Sequence, residues 1–138
     1  LLFDMPNLSL AAYNEAINLD RNKPELRREK AGVLNTMAAK FFEKSKKYEE
    51  LGTDSHDAVA FYKKMGIKKL YRAWIEYSVA HHLEGKKDEA INDLTRAIQI
   101  DPQDPTGYFL RHVLYLQSGK TEKGKSDLQR ARDLGYGD

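Results

Sequence analysis

Two histidine-containing stretches hold residue types that can serve catalysis or metal binding. The run Ser55, His56, Asp57 contains the three residue types of a hydrolytic triad. Three consecutive side chains point in different directions, so they cannot act together as nucleophile, base and orienting acid. His81 and His82 are neighbours on a predicted helix and lie about 100° apart, which prevents them from binding one metal ion together. We therefore expect neither an enzyme active site nor a metal site.

The strongest local charge bias of the chain is basic. The segment 62–72 contains five cations and no acid. Such a run can receive an acidic partner or lipid headgroups, although a charge run is most often a solvated face. RNA binding would need aromatic side chains beside the cations, whereas Tyr62 and Tyr71 have the spacing of core residues. The lysines that form this possible basic patch are Lys63, Lys64, Lys68 and Lys69.

Composition limits the class of protein. The 138 residues include 23 Lys and Arg against 21 Asp and Glu, a net charge of +2 that is too balanced to indicate a nucleic-acid partner. The absence of cysteine excludes disulfides, thiolate metal sites and a cysteine nucleophile, and leaves the compartment open. No stretch approaches the roughly 18 apolar residues of a membrane span. No phosphate-binding loop is present, so no cofactor is expected. Because the chain begins at Leu1, we expect a mature or trimmed chain with residues upstream.

Proline and glycine divide the sequence into helix-length segments. Proline fits the first turn of a helix, and glycine favours the left-handed position just beyond its end. Sustained period-two alternation is absent, so we predict an all-α fold without a sheet. The seven predicted helices are 7–20, 24–51, 54–65, 67–84, 87–100, 105–118 and 121–134.

The second predicted helix is unusually long. Gly52 is expected to end it, and Asp54 or Ser55 to cap the next helix. One inward-facing stripe runs along its whole length because its members recur at steps of three and four residues. These members are Ala31, Leu34, Ala38, Phe41, Ser45 and Tyr48, widened by Met37 and Phe42.

The sequence matches itself at one constant shift along the chain. The matching pairs are Trp74 with Tyr108, Gly85 with Gly119, Leu94 with Leu128 and Ala97 with Ala131. A period of this length, about 34 residues, built from two helices resembles the tetratricopeptide repeat (TPR). Residues 105–138 match the pattern more loosely, with departures at Arg111, His112, Gly124 and Tyr136. Residues 71–104 match the repeat pattern more closely, at Trp74, Tyr77, Ser78, His81, Ala90, Leu94, Ala97 and Pro102.

Small residues mark the places where the two helices of such a repeat cross. We expect Ser78 to face Ala90, and Ala97 to let the following helix approach. In the second copy His112 occupies the small slot and Gly124 is its expected partner, a large-plus-small pair of similar total volume.

The resemblance implies a right-handed solenoid of stacked helix-turn-helix units that holds a protein or peptide partner in a concave groove, without catalysis. The expected organisation is one TPR-like domain over 1–138, with a partial repeat at 1–23, a divergent long helical pair at 24–70, and repeats at 71–104 and 105–138. The positions that match the family's partner-binding groove are Arg72, Ile75, Val79, His82, Thr106, Phe109, Val113, Leu116 and Gln117.

One activity of the family is not expected. Its chaperone-binding members grip a C-terminal carboxylate with Lys, Arg and Asn side chains. The matching places here hold Ile75, Val79 and Leu110, which cannot donate hydrogen bonds to a carboxylate. We therefore expect no carboxylate-clamp chaperone binding.

The alternative function is structural self-assembly into a homo-oligomer through uncapped ends. Stacked repeats need polar caps, yet the last predicted helix runs through Leu128 and Leu134 without a solvating helix after it. The first helix is preceded by an apolar stretch that contains Leu1, Leu2, Phe3 and Met5. We expect these ends either to contact another molecule or to be covered by Tyr136 and the N-terminal residues.

Overall fold

The computed structural model describes residues 6–52 and 55–137, and the side chains from Leu10 onward within them. No strand occurs in these residues, so the all-α prediction is confirmed. The predicted apolar N-terminal stretch and the predicted cap Asp54 lie outside the described residues. The six helices are α1 (Pro6–Leu19), α2 (Pro24–Leu51), α3 (His56–Leu83), α4 (Lys87–Ile100), α5 (Pro105–Gln117) and α6 (Thr121–Asp133).

Each helix packs chiefly on its neighbours in the chain. Within the described residues, the extensive interfaces are α1–α2, α2–α3, α3–α4, α4–α5 and α5–α6, and the α2–α3 interface is the largest. Stacking of each unit on the next, without a central core shared by all, is the organisation of a helical solenoid. The predicted repeat architecture is therefore confirmed.

The prediction of two helices at 54–65 and 67–84 is wrong, because one helix crosses Gly66 without a break. A glycine inside a helix costs only about 1 kcal/mol relative to alanine, and no proline stands nearby to end the helix. A Cβ at Gly66 would lie 2.8 Å from Cε1 of Phe42. The missing side chain therefore provides the space into which the Phe42 ring of α2 packs.

The predicted inward stripe of α2 forms its contact with α3. Ala31, Leu34, Met37, Ala38 and Ser45 are buried. The end of the pair is aromatic: the ring centroids of Phe41 and Tyr48 lie 6.2 and 5.5 Å from that of Tyr62.

Ser55 does not cap α3 as predicted. Its side chain makes no capping hydrogen bond, and its Oγ instead lies 2.6 Å from the carbonyl oxygens of both Tyr48 and Gly52. The hydroxyl therefore closes the turn on the α2 side, because those carbonyls at the end of α2 lack helical partners.

The small residues of the repeat are buried as predicted. Ser78 is 3% exposed, and Ala90, Ala97 and Ala131 are fully buried. The two hairpin turns are alike: Gly85 and Gly119, which occupy equivalent positions of the two repeats, have φ values of +76° and +75°. Both glycines lie in the left-handed region that other residues rarely adopt, so the period seen in the sequence is also a period of the backbone.

A buried tyrosine joins the two repeats. The Tyr71 hydroxyl donates to Oδ1 of Asp104 at 2.9 Å and accepts from the backbone N of Gly107 at 2.8 Å. The same Asp104 oxygen accepts from the N of Thr106 and caps α5. Burial, together with the hydrogen bond to Asp104, raises the pKa of Tyr71 well above its usual range, so the hydroxyl stays protonated and can donate.

His112 and Gly124 touch, but not in the expected way. The Nδ1 atom of His112 lies 2.8 Å from the carbonyl oxygen of Gly124. A Cβ at Gly124 would meet Cδ2 of Leu116 at 3.0 Å and the carbonyl oxygen of His112 at 3.3 Å, not the imidazole. The steric partner of Gly124 is therefore Leu116, and the imidazole contributes a polar contact.

Ala97→Leu is expected to lower the free energy of unfolding by about 1–3 kcal/mol, because overpacking forces neighbouring atoms out of position. Ala97 is fully buried on α4. Urea unfolding followed by circular dichroism measures the effect. Gln99→Leu adds a similar side chain at an exposed position of the same helix and should change stability by no more than about 0.5 kcal/mol. Equal stability of the two variants would contradict a close crossing at Ala97.

Candidate partner-binding groove

In the described part of the chain, two openings lie between α3 and α5, and together they form the candidate groove. The first, the apolar pocket, has a volume of about 130 Å³ and is lined by Ser78, Val79, His82, Leu94, Leu110, Val113 and Leu114. The second, the polar cleft, has a volume of about 560 Å³ and is lined by Met65, Lys68, Lys69, Tyr71, Arg72, Ile75, Glu76, Asp101, Asp104 and Thr106.

Six of the nine groove residues expected from the sequence line one of these openings. Val79, His82 and Val113 meet at the apolar pocket. Arg72, Ile75 and Thr106 line the polar cleft. Corresponding positions of the two repeats thus come together in pairs, since Val79 is equivalent to Val113, and Arg72 to Thr106, under the repeat shift.

The other three expected groove residues lie apart from both openings. Phe109 stacks on Tyr136 with a centroid distance of 4.1 Å. Leu116 is 45% exposed and stands beside Gly124, and Gln117 is exposed at the end of α5. Tyr136 therefore covers Phe109 of α5, while the expected contact of the last helix with another molecule stays a prediction.

Ile75 is less accessible than a pure groove residue. It packs against the core formed by Ala90, Ile91, Leu94 and Leu114. A charged substitution at Ile75 or Phe109 would therefore disturb internal packing, so neither residue is a clean probe of partner binding.

Several lining residues are not among the nine groove positions expected from the sequence. Leu110 and Leu114 border the apolar pocket, and they stand three residues before Val113 and one residue after it. A three-residue step on a helix indicates a shared face, which agrees with the place of Leu110 among the positions where a carboxylate clamp would need donors. Asp101 and Asp104 reach the polar cleft from the turn before α5, and helical periodicity carries no signal for such turn residues.

The polar cleft has one wall of unpaired cations. Among the described residues, no carboxylate lies within salt-bridge distance of Lys68, Lys69 or Arg72, although other lysines and arginines do form such pairs. Partial burial, followed by the positive charges of Arg72 and Lys68, lowers the pKa of Lys69. These three side chains therefore form no ion pair with a described residue, although Asp101 and Asp104 also line the cleft.

The carboxylates of the same cleft are already engaged. Glu76 accepts from Arg27 Nη1 at 3.0 Å and from Lys30 Nζ at 2.9 Å. Asp104 is held by Tyr71 and by the first turn of α5. Asp101 accepts from the backbone N of Gln103 at 3.1 Å. The cations of the cleft are therefore the groups left for a ligand.

The possible basic patch is divided by the structure. Lys68 and Lys69 line the polar cleft, whereas Lys63 pairs with Glu49 of α2 at 2.6 Å. Lys64 is exposed and lines neither opening of the groove.

Two buried aspartates at equivalent positions of the two repeats were also missed by sequence reasoning. Asp93 lies 2.5 Å from Nδ1 of His81. Asp127 accepts two hydrogen bonds from Arg111, from Nε at 2.7 Å and from Nη2 at 2.8 Å. The repeat shift itself could have revealed them. Each joins the second helix of a hairpin to the first, so their role is structural.

Burial and hydrogen bonding shift pKa values within these two aspartate pairs. Desolvation raises the pKa of Asp93, and the hydrogen bond to His81 opposes that shift. The hydrogen bonds to Asp127 raise the pKa of Arg111 against the effect of burial.

The described part of the chain contains no group of three or more His, Asp or Glu side chains arranged to hold a metal ion. Ser55 interacts with backbone carbonyls rather than with His56.

None of the described helices is both long and apolar enough to cross a membrane.

A linear stack of helices that repeats in sequence and in backbone, with an open groove between corresponding helices, defines a helical-repeat scaffold. Residues 80–119, from the end of α3 through α5, match a protein-family model described as a TPR repeat. The resemblance found in the sequence is confirmed by this match. It supports a general role as a protein-interaction scaffold, in a family that is generally non-catalytic.

Comparison with other proteins gives a distant structural similarity. A solved structure described as "MamA RS-1 ArsTM double mutant" is similar to the chain with a TM-score of 0.46 and 11% sequence identity, over 94% of this chain and 84% of that chain. No curated protein sequence matches the chain.

Proposed function

We propose that this protein is a non-catalytic interaction module that binds a peptide or partner segment along the groove between α3 and α5. The observation that carries the proposal is the apolar pocket, where Val79 and His82 of one repeat meet Val113 of the next. Ligand sites combine an apolar lining with a few polar groups, and His82 supplies such a group at the rim. An apolar cavity of about 150 Å³ can hold a benzene ring, so this pocket suits one branched or aromatic side chain.

The proposal is tested with a random peptide library displayed on phage and the full chain as bait. The wild-type chain is expected to enrich peptides that share one large apolar residue. Val113→Thr, which keeps the shape of the pocket but adds a hydroxyl, should weaken the enrichment, and Val113→Asp should abolish it. Gln117→Asp introduces the same charge at an exposed position of α5 and should enrich the wild-type peptides.

Thermal melting followed by circular dichroism verifies that each variant is folded. Should a folded Val113→Asp variant enrich the same peptides as the wild type, the apolar pocket is not the binding site. Enrichment of no peptide by the wild-type chain would also overturn the proposal.

Self-assembly through the array ends has less support. Tyr136 covers Phe109 at the C-terminal end, which reduces the apolar surface available there for a second copy. We do not propose a carboxylate clamp, because the apolar side chains of Ile75, Val79 and Leu110 remain at the places where that clamp needs donors.

A further inference from the structure

The apolar pocket and the cation wall of the polar cleft follow one another along α3. Val79 lines the first, and Arg72 and Lys68 line the second. Arg72 precedes Val79 by seven residues and Lys68 precedes it by eleven. At 1.5 Å per residue, these cations stand about 10 Å and about 16 Å from Val79 along the helix axis.

An extended peptide advances about 3.3 Å per residue. A segment anchored in the apolar pocket would therefore reach the cation wall about three to five residues away from its anchor. Lys68, Lys69 and Arg72 have no acidic partner among the described residues, so a carboxylate arriving there would not have to displace an existing ion pair.

This inference rests on the proposed function: we propose that the partner segment is acidic. Its apolar side chain fills the apolar pocket, and its carboxylates, about three to five residues away, contact Lys68, Lys69 and Arg72. Charge complementarity carries this choice of occupant. Partial burial lowers the pKa of Lys69, and the nearby positive charges of Arg72 and Lys68 lower it further. A carboxylate on a peptide neutralises these positive charges through charge-assisted hydrogen bonds.

A peptide fits this cleft better than a nucleic acid does. Single-stranded nucleic acids bind through aromatic side chains on which bases stack. The aromatic residue of the cleft, Tyr71, is 5% exposed, and its hydroxyl is held by Asp104 and Gly107. Asp101 and Asp104 border the same cleft and, within the described residues, accept hydrogen bonds only from neutral groups. Their charges would repel a continuous phosphate backbone, whereas a short acidic segment can place its charges on the cation wall alone.

The test uses the same phage-displayed library with two charge-matched triple variants. The first replaces the cation wall with Lys68→Gln, Lys69→Gln and Arg72→Gln. The control carries Lys40→Gln, Lys46→Gln and Lys87→Gln, three exposed lysines outside the groove. The wild-type and control chains should enrich peptides with an apolar anchor and acidic residues about three to five positions away. The cation-wall variant should keep the anchor preference and lose the acidic one.

Fluorescence anisotropy on the most enriched peptide then measures affinity. Replacing its acidic residues with glutamine, or using the cation-wall variant, should weaken binding on the order of tenfold or more, as expected for hydrogen bonds between charged groups. The control variant should bind as the wild type does. Raising the ionic strength should weaken binding of the acidic peptide more than that of its glutamine form.

The outcomes separate this inference from the proposed function. Enrichment of an apolar anchor without acidic residues overturns the acidic partner and leaves the interaction module standing. If the wild-type chain enriches no peptides with an apolar anchor, both the acidic partner and the interaction module are overturned. The acidic partner is also overturned if no acidic peptide is enriched and the wild type instead binds phosphatidylserine vesicles or a single-stranded RNA. In that case the cation-wall variant should lose this binding.

Discussion

Glu76→Gln is expected to lower the free energy of unfolding by about 3–5 kcal/mol, as removal of one partner of a buried ion pair generally does. Glu76 compensates two cations at once, Arg27 and Lys30 of α2. The exposed fractions of the three side chains are 11%, 22% and 12%, so water cannot replace the lost charge efficiently. Urea unfolding followed by circular dichroism measures the change.

The control for this prediction is Glu49→Gln. Glu49 pairs with Lys63 between the same two helices, but their side chains are 48% and 53% exposed. Exposed ion pairs contribute about 0–1 kcal/mol, so this variant should be nearly as stable as the wild type. The prediction fails if the two substitutions cost the same, which would mean that the Glu76 cluster is effectively solvated.

Asp127→Ala is expected to destabilise the second repeat by a similar amount, about 3–5 kcal/mol. The substitution leaves the Arg111 guanidinium, which is 17% exposed, with one remaining side-chain hydrogen bond, to Thr95 Oγ1 at 3.1 Å. Circular dichroism and tryptophan fluorescence during urea unfolding measure the loss. Asp133→Ala, at an exposed position of the same helix, should change stability by no more than about 0.5 kcal/mol.

A double substitution separates loss of the charge pair from loss of packing. Arg111→Met alone leaves the Asp127 carboxylate, 7% exposed, without its partner and should also destabilise. The combination of Arg111→Met with Asp127→Leu should recover most of the stability, because apolar residues of similar volume often replace a buried ion pair without loss. A double-mutant cycle gives the coupling energy. Additive costs of the two single substitutions would contradict the direct pairing of Arg111 with Asp127.

Helix positions and repeat period could be read from the residues because they depend on local chemistry. Pro24 and Pro105 start helices where proline fits, and Gly85 and Gly119 end them where a positive φ is needed. The prediction at Gly66 failed because the same residue type has two uses. Whether a glycine ends a helix or makes room for a neighbour depends on what packs against it, and the ring that packs here comes from a different helix, α2.

The sequence predicted only part of the candidate groove, because contacts between distant segments decide which residues stay open. Helical spacing indicates which way Val79 and Val113 face on their own helices, and the repeat shift indicates that the two positions are equivalent. Neither pattern indicates whether a side chain from another part of the chain covers these positions. Phe109 has groove spacing, yet Tyr136 stacks on it from beyond α6.

The residues alone identify an all-helical repeat, its period, its small-residue crossings and the stripe from which a groove is built, because these follow from the conformational preferences and sizes of individual side chains. Tertiary structure decides which members of that stripe remain open and which charges remain unpaired. Lys63 and Lys69 belong to the same basic run, but within the described residues Lys63 meets a carboxylate, Glu49, and Lys69 meets none. An ion pair or a covering ring needs two groups brought together from distant parts of the chain, and a pattern along one helix does not contain the position of the second group.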